Sequence, residues 1–323
     1  MVSKRNSASY AAIAARVGLS KTTVIRVLRD DLRPSSLAQT ERERIRLAAE
    51  ELGWRPGGSS ALRPLVALLG LGRLPMGLGV YLDLIARLAG ELDLRHADVL
   101  PLPLEGSIAE WRHSGRQRQV VSAILPDYCS NDPELALQLH VPVVLFNLRS
   151  DLPLDQVLTD DAGGMLLLAR NLAELGHRRV IWCLSGESNN RHHSISERQR
   201  ALAAVIPTVI VVGSLEELAV VIRQEPRPTA IVAYNELDLG RIYALLAERG
   251  LRVPHDISVA ATGHPDVLAN TGPTTAGIEI PVGDMCVVAA EFALIRSAVP
   301  RIRVVPQRLL VGGSVGAAVR ASL

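Results

Sequence analysis

Aromatic residues and long apolar runs are scarce in this chain. Phenylalanine, tryptophan and tyrosine together make up 3% of its 323 residues, although 48% of the residues are hydrophobic. No uninterrupted apolar run approaches the roughly 18 residues that a membrane-spanning helix needs. The N-terminal residues also lack the apolar core of a secretory signal. The sequence therefore predicts a cytoplasmic protein with no membrane partner.

Cysteine and enzyme motifs are scarce as well. The three cysteines are odd in number, widely spaced and outside any metal-binding motif, which favours a reducing compartment. The sequence contains no phosphate-binding loop and no nucleophile elbow, and Pro75 interrupts the glycine spacing of a dinucleotide site after Gly70 and Gly72. His192 and His193 lie in a polar stretch and are predicted to be solvated. We therefore expect no enzymatic activity, no cofactor and no metal.

Charge is distributed unevenly along the chain. Residues 1–64 contain 12 Lys+Arg against 6 Asp+Glu, whereas the remainder contains 23 against 27. A net charge of +6 on the N-terminal segment, joined to a body of net charge −4, is typical of a segment that neutralises phosphates. The charge pattern thus favours nucleic-acid binding over a small helical bundle with a solvated charged face.

The basic segment begins with two short helical patterns joined by a glycine. Apolar residues recur at helical spacing from Tyr10 to Val17, with Ser9 as a candidate cap, and Gly18 marks a chain reversal. Ser20 is a candidate N-cap for the next helix. Val24, Val27 and Leu28 share the predicted inner face of that helix, while Thr22, Ile25, Arg26 and Arg29 face outward, with Lys21 on the flank.

A third helix is predicted further along this segment. Thr40 and Glu43 have the spacing of a capping box, and Gly53 is positioned to end the helix. The apolar stripe comprises Ile45, Ala48, Ala49 and Leu52. Three short helices of this kind, with a tight turn between the first two, indicate a helix-turn-helix domain.

From residue 65 onward, apolar strand patterns alternate with helical ones. This β-α-β order predicts an α/β body with parallel sheets. The predicted strands are 65–71, 120–125, 141–146, 180–184, 209–212, 229–233 and 257–261, and the predicted helices are 81–92, 164–175 and 237–249.

The N-terminal segment resembles the DNA-binding domain of the LacI/GalR family of bacterial transcription regulators. The resemblance rests on residues 17–28, which are similar to the family's recognition helix, and on residues 48–56, which match the end of its third helix. It implies base contacts from Lys21, Thr22 and Arg26. It also implies phosphate contacts, for which the chain offers Ser9, Ser20, Thr23 and Arg29.

The resemblance extends over most of the body, through residues 171–180, 228–233, 250–259 and 272–275. It implies a periplasmic-binding-protein-like body of two parallel-sheet lobes behind an all-α helix-turn-helix head. We assign 1–56 to the DNA-binding domain, 57–64 to a linker and 65–323 to an effector-binding and dimerisation domain. Lobe 1 is expected at about 65–160 and 278–305, and lobe 2 at about 161–277 and 306–323.

The sequence departs from the family pattern where a ligand would bind. The resemblance keeps one pocket arginine, Arg200, with Arg198 as the alternative, whereas most groups that hold sugar hydroxyls are replaced. Two hypotheses remain: a small anionic ligand on Arg200, or no small ligand. The family's pocket aspartate aligns best with Thr159, and Asp160 and Asp161 are adjacent to it. The candidate effector-binding residues are Arg200, Tyr234, Gly263, Ile280 and Asp160.

The linker also departs from the pattern, since the family commonly folds a hinge helix there. Gly57 and Gly58 each cost a helix about 1 kcal/mol relative to alanine. Leu62 is the candidate minor-groove contact. A flexible linker is therefore favoured over an ordered hinge helix.

Taken together, the sequence predicts a transcription regulator, in particular a repressor, acting as a homodimer on a double-stranded, roughly palindromic operator. A tetramer is the alternative assembly. The competing hypothesis is a cytoplasmic ligand-binding or enzymatic α/β protein whose N-terminal helices only dimerise.

Overall fold

The computed structural model of the protein describes residues 10–28, 38–52, 63–69, 78–102, 120–127, 133–184 and 192–319. The chain divides into two compact units, Met1–Arg63 and Pro64–Leu323. Ser9, Arg29, Gly53, Leu62 and the glycine pair of the linker lie outside the described residues.

The first unit contains three helices around a small apolar core. Helix α1 ends before Gly18, whose φ of 71° is the left-handed conformation that lets the chain reverse, and the Leu19 N–H bonds the Ala14 carbonyl at 3.2 Å. Ile13, Val24 and Ile45 are fully buried between the helices. The helices are α1 (Tyr10–Val17), α2 (Lys21–Leu28) and α3 (Gln39–Glu51).

The start of α3 corrects one sequence prediction. The helix begins at Gln39, and the Ala38 carbonyl accepts hydrogen bonds from the N–H groups of Glu41 and Arg42. Thr40 therefore lies within the first turn and cannot be the N-cap of a capping box. At the other end of α3, Leu52 was predicted to join the apolar stripe, but its side chain is 37% exposed and lies outside the core.

The body contains two six-stranded sheets. The first sheet has the strand order β11-β5-β4-β3-β1-β2, and every pairing within it is parallel. Helices α4 (Leu78–Asp93) and α10 (Val282–Leu294) pack together and share one core with this sheet. Its strands are β1 (Leu65–Leu69), β2 (Asp98–Leu102), β3 (Val120–Pro126), β4 (Val143–Phe146), β5 (Asp155–Thr159) and β11 (Ile302–Val305).

The second sheet has the order β12-β10-β9-β8-β6-β7, and it is parallel except for the short β10–β12 pair. Its strands are β6 (Arg179–Cys183), β7 (Thr208–Val212), β8 (Ala230–Ala233), β9 (Ser258–Gly263), β10 (Ala276–Glu279) and β12 (Leu309–Leu310). Its helices are α5 (Asp161–Glu174), α6 (His193–Ala203), α7 (Leu215–Val221), α8 (Leu239–Glu248) and α9 (Pro265–Ala269). Single 3-10 helices occupy Pro133–Gln138 and Glu236–Asp238.

The two sheets define two lobes, and the chain passes from one lobe to the other three times. The predicted crossing at 277/278 falls inside β10, so the chain returns to the first lobe only after Glu279. It re-enters the second sheet at β12. The central strands are apolar runs buried on both faces, as parallel sheets covered by helices require. None of the helices in the described ranges combines the length and apolar character needed to cross a membrane.

Candidate nucleic-acid interface and ligand cleft

Helix α2 has one buried side and one exposed side. Val24 and Val27 are buried, whereas Lys21, Thr22 and Arg26 are exposed to solvent. The structure therefore places the three residues predicted to contact bases together on the outer surface of one helix, without assigning their role. An exposed helix of this size fits the width of the major groove of B-DNA.

The N-terminus of α2 is capped as predicted. The Ser20 Oγ accepts a hydrogen bond from the Thr23 N–H at 3.1 Å and lies 2.8 Å from the Thr23 hydroxyl oxygen. Both predicted phosphate-binding hydroxyls thus lie together at a helix N-terminus, where free N–H groups favour an anion. Ile25, predicted to face outward, is half-buried.

In the body, polar side chains gather where the strands of both sheets end. Asp127 follows β3, Asn147 follows β4 and Thr159 ends β5 in lobe 1. Tyr234 follows β8 and Gly263 ends β9 in lobe 2. The carboxyl ends of parallel strands are the usual ligand-binding edge of an α/β sheet, so this cleft between the lobes is the candidate ligand site.

The arginine buried against Tyr234 in this cleft is Arg198, whereas Arg200 is exposed on the same helix. The Arg198 guanidinium donates to one carboxylate oxygen of Asp161 at 2.6 and 2.8 Å and to the Tyr234 carbonyl at 3.1 Å. Arg198 and Asp161 are both buried. Arg200 is exposed and donates to the Ser196 carbonyl at 3.1 Å. Arg198, which the sequence offered as the alternative to Arg200, is therefore the arginine that contacts Tyr234.

Tyr234 is present in the cleft, but its ring is not an open platform. The Arg198 guanidinium carbon lies 5.1 Å from the ring centroid, and Trp182 contacts the ring edge-on at 6.1 Å. The Tyr234 hydroxyl lies 2.9 Å from the Ser194 hydroxyl. Burial raises the pKa of Tyr234. These contacts leave little of the ring for stacking against a sugar.

Gly263 and Ile280 are adjacent, since the Ile280 N–H donates to the Gly263 carbonyl at 3.0 Å. A Cβ on Gly263 would lie 2.6 Å from a carboxylate oxygen of Glu236. The glycine therefore makes room for a buried carboxylate that the sequence analysis did not single out. Burial raises the pKa of Glu236.

The two neighbouring histidines correct another prediction. Their side chains are 13% and 14% exposed, so they are not solvated. His192 reaches lobe 1: its Nε2 lies 2.8 Å from the Asn147 carbonyl oxygen and 3.3 Å from Asp127 Oδ2. His193 Nε2 is buried without a hydrogen-bond partner. Sequence alone gave no sign of these contacts of His192, because its partners lie 45 or more residues away in the chain.

A second histidine also joins the lobes. His264 Nε2 lies 3.0 Å from Asp83 Oδ2 on α4, and Arg87 donates to the same carboxylate oxygen at 2.6 Å. Partial burial raises the pKa of Asp83, but the hydrogen bonds from Arg87 and His264 outweigh it, so the pKa is lowered overall.

Asp161, His193 and Glu197 have the side-chain types of a metal site, with ligand atoms within 4.8 Å of one another. Glu197 follows His193 by one helical turn, a spacing that the sequence analysis missed. Both carboxylates are already neutralised, Asp161 by Arg198 at 2.6 Å and Glu197 by Arg149 at 3.2 Å. A divalent cation would therefore sit beside two guanidinium groups, which disfavours its binding.

A cavity of about 550 Å³ lies beside α5 and α6 and brings together two predicted effector residues, Asp160 and Arg200. Asp160 also caps α5, since its side chain accepts from the Gly163 N–H at 2.9 Å. Among the residues the structure describes, Arg200 forms no ion pair and the cavity has no aromatic lining. Its lining comprises Arg149, Thr159, Asp160, Asp161, Ala162, Leu166, Glu197, Arg200, Ala201, Ala204 and Val304.

Comparison with known proteins matches this architecture. A family described as periplasmic binding protein-like domain matches residues 169–315. The chain is 29% identical over 171 residues to an arabinose metabolism transcriptional repressor from Geobacillus stearothermophilus, covering 48% of the chain and 47% of that protein. It is 32% identical over 117 residues to the HTH-type transcriptional repressor PurR of Vibrio atlanticus, covering 32% and 35%. The chain thus spans less than half the length of these relatives.

Solved structures extend the match to nearly the whole chain. A transcriptional regulator CelR–cellobiose complex aligns with a TM-score of 0.62 at 21% identity, covering 95% of this chain and 99% of the other. A LacI transcriptional regulator from a Rhodococcus species aligns with a TM-score of 0.65 at 22% identity, covering 79% and 99%. These likenesses establish the fold, and with the repressor relatives they confirm the predicted resemblance of the chain to the LacI/GalR family of bacterial transcription regulators.

Proposed function

We propose that the protein is a sequence-specific DNA-binding transcription regulator that acts as a repressor. The observation that carries the proposal is helix α2, which begins at the Ser20 cap, buries Val24 and Val27, and exposes Lys21 and Arg26. This helix lies in a segment of net charge +6. The alternative, in which the helices only dimerise, gives no reason for basic residues to project from this face.

Each exposed residue has a defined role in this proposal. Arg26 reads guanine through its O6 and N7 acceptors, and Lys21 and Thr22 contact neighbouring base edges. Ser20 and Thr23 hold phosphates at the helix N-terminus. The two relatives at 29% and 32% identity are named as repressors, which supports the sign of regulation.

One eight-residue helix contacts only a few base pairs, so the proposal includes a homodimer on a roughly palindromic operator. A tetramer is an outcome that the same experiments would reveal. The protein would act in the bacterial cytoplasm, at the nucleoid.

We further propose that the cavity beside Arg200 accepts a small anionic ligand. Arg198 is neutralised by Asp161, whereas Arg200 forms no ion pair within the described part of the chain. Of the three carboxylates in the cavity lining, Asp161 and Glu197 are paired with other arginines and Asp160 accepts from the Gly163 N–H. The unpaired Arg200 guanidinium therefore favours a ligand with a carboxylate or phosphate group. Binding would alter DNA affinity by changing lobe closure.

Selection of random double-stranded DNA with the purified full-length protein tests the DNA proposal. We expect enrichment of an inverted repeat, and affinity for the enriched site should fall steeply with salt because phosphate contacts release counterions. Failure to enrich any sequence, with a stable dimer in solution, would support the alternative in which the helices only dimerise.

Calorimetry tests the ligand proposal with ribose 5-phosphate and glucose 6-phosphate against the parent sugars. We expect binding of a phosphorylated sugar that Arg200→Ala abolishes. Arg178→Ala changes an exposed arginine that does not line the cavity and should leave binding unchanged. Tight binding of the neutral sugars instead would contradict the proposal.

A further inference from the structure

Two histidines occupy equivalent positions in lobe 2. His192 is the N-cap of α6 and His264 is the N-cap of α9. In each, Nδ1 accepts a hydrogen bond from the backbone N–H two residues later, at 3.3 Å from the nitrogen of Ser194 or Asp266. Histidine thus fills the position where a short polar residue usually caps a helix.

This capping bond determines which ring nitrogen faces lobe 1. Because Nδ1 is an acceptor, the neutral ring carries its proton on Nε2. In His192 that N–H points to the Asn147 carbonyl at 2.8 Å and to Asp127 at 3.3 Å. In His264 it points to Asp83 at 3.0 Å. Both rings therefore donate across the cleft to acceptors in the other lobe.

The lobe 1 acceptors are held in place by their own lobe. The Asn147 side chain donates to Asp127 at 2.8 Å and accepts from the Thr159 hydroxyl at 3.1 Å. Arg87 holds Asp83 at 2.6 Å. Fixed acceptors reduce the conformational entropy lost when each cross-lobe hydrogen bond forms.

We propose that His192 and His264 are paired latches that hold the two lobes closed before any ligand binds. One latch engages the loops after β3 and β4, and the other engages helix α4. A single contact would still let one lobe rotate relative to the other about that point. Two contacts at separate elements restrain this rotation. Both rings are largely buried, with 13% and 9% of their side chains exposed, so water competes poorly for these bonds.

The latches set the starting point for control by a ligand, a consequence that rests on the proposed function. A ligand shifts the equilibrium between open and closed lobes only through its different affinity for the two forms. If the latches already hold most molecules in the closed form, a ligand that prefers this form hardly changes the proportion of closed molecules. A ligand that prefers the open form must break two cross-lobe attachments.

Hydrogen–deuterium exchange of the full-length protein, without DNA or ligand, tests the latches. His192→Asn and His264→Asn keep an effective N-cap, but their shorter side chains cannot span the cleft. We expect exchange in the opposite lobe to rise about tenfold for each variant, around residues 143–147 and 83–87 respectively. In the double variant, the exchange rate in both of these regions should rise by roughly the product of the two single-variant factors. His255→Asn, an exposed histidine of the same lobe, is the matched control and should change nothing.

Unchanged exchange in lobe 1, or a change confined to α6 or α9, would overturn the proposal, because the histidines would then be caps only. Asp83→Ala approaches the same bond from lobe 1 without touching a cap, and it should raise exchange around residues 263–268. A gel shift on the selected operator is measured separately. Intact DNA binding with unchanged exchange rejects the latches alone, whereas failed DNA binding by the unaltered protein rejects the regulator and leaves the exchange result standing.

Discussion

The rings of His192 and His193 lie 4.2 Å apart, centroid to centroid, yet their pKa values are displaced in opposite directions. Burial lowers the pKa of both, but the Asp127 carboxylate outweighs burial at His192 and raises its pKa above 6.5. At His193, burial and the neighbouring His192 lower the pKa to about 4. Two adjacent residues of the same type therefore titrate in separate pH ranges.

This difference predicts acid sensitivity of the fold. Between pH 6.5 and pH 4 the unfolded chain binds a proton at His193 that the folded chain excludes, so the free energy of unfolding falls as the pH falls. The depression of this pKa corresponds to about 3 kcal/mol over that range. Urea unfolding of the intact protein at several pH values measures the effect.

His193→Gln should reduce the acid slope, leaving the part due to His177, whose pKa burial also lowers. His192→Gln is the matched control, because a raised pKa contributes stability that is lost only as the pH rises above 6.5. An unchanged acid slope in His193→Gln would mean that this residue is not protonated on unfolding in that range.

The DNA interface predicts a specific effect of Arg26. Arg26→Ala should weaken binding to the selected operator by about 1–3 kcal/mol and relax the preference at one base position, because a bidentate contact to guanine is lost. Arg16 supplies the control: it is also exposed and basic, but it lies on α1 and pairs with Glu51 at 3.3 Å. Arg16→Ala should leave the base preference intact, and a selection that returned the same preference for Arg26→Ala would contradict the assignment.

How far the sequence could predict the site depends on whether the signals were local. Gly18 and Ser20 act through bonds within five residues, so their roles as turn and cap could be predicted. Arg198 and Arg200 are separated by about 200° around α6. Which of them enters the cleft depends on how α6 packs, and that packing is set by Asp161 and Tyr234, 37 and 36 residues from Arg198.

Local sequence also failed to predict the N-cap of α3 and the burial of two histidines. Thr40 and Glu43 carry the residue types of a capping box, but α3 begins earlier, at Gln39, because the Ala38 carbonyl already accepts the first helical hydrogen bonds. His192 and His193 were predicted to be solvated because the residues near them in sequence are polar. His192 instead contacts the Asn147 carbonyl of lobe 1, and His193 lies beside Asp161 of α5. Neither partner is near these histidines in the sequence, so no local pattern records the contacts.

Ser20 offers a test that separates folding from DNA binding. Ser20→Ala removes the cap of α2 and should lower the stability of the helical unit by about 1 kcal/mol. Ser20→Asp keeps a capping oxygen and should retain that stability, measured by thermal unfolding. Its negative charge would face the DNA phosphates, so operator affinity should still fall. Full operator affinity in Ser20→Asp would mean that Ser20 does not face a phosphate.

The buried pair of Arg198 and Asp161 should dominate the stability of the second lobe near the cleft. Asp161→Asn leaves the Arg198 charge buried without a counter-charge and should cost about 3–5 kcal/mol of unfolding free energy. Asp284 forms a comparable pair with Arg308 at 3.2 Å, but both side chains are more than half exposed. Asp284→Asn should therefore cost less than about 1 kcal/mol. Equal losses in the two variants, measured by urea unfolding at pH 7, would show that burial does not distinguish these pairs.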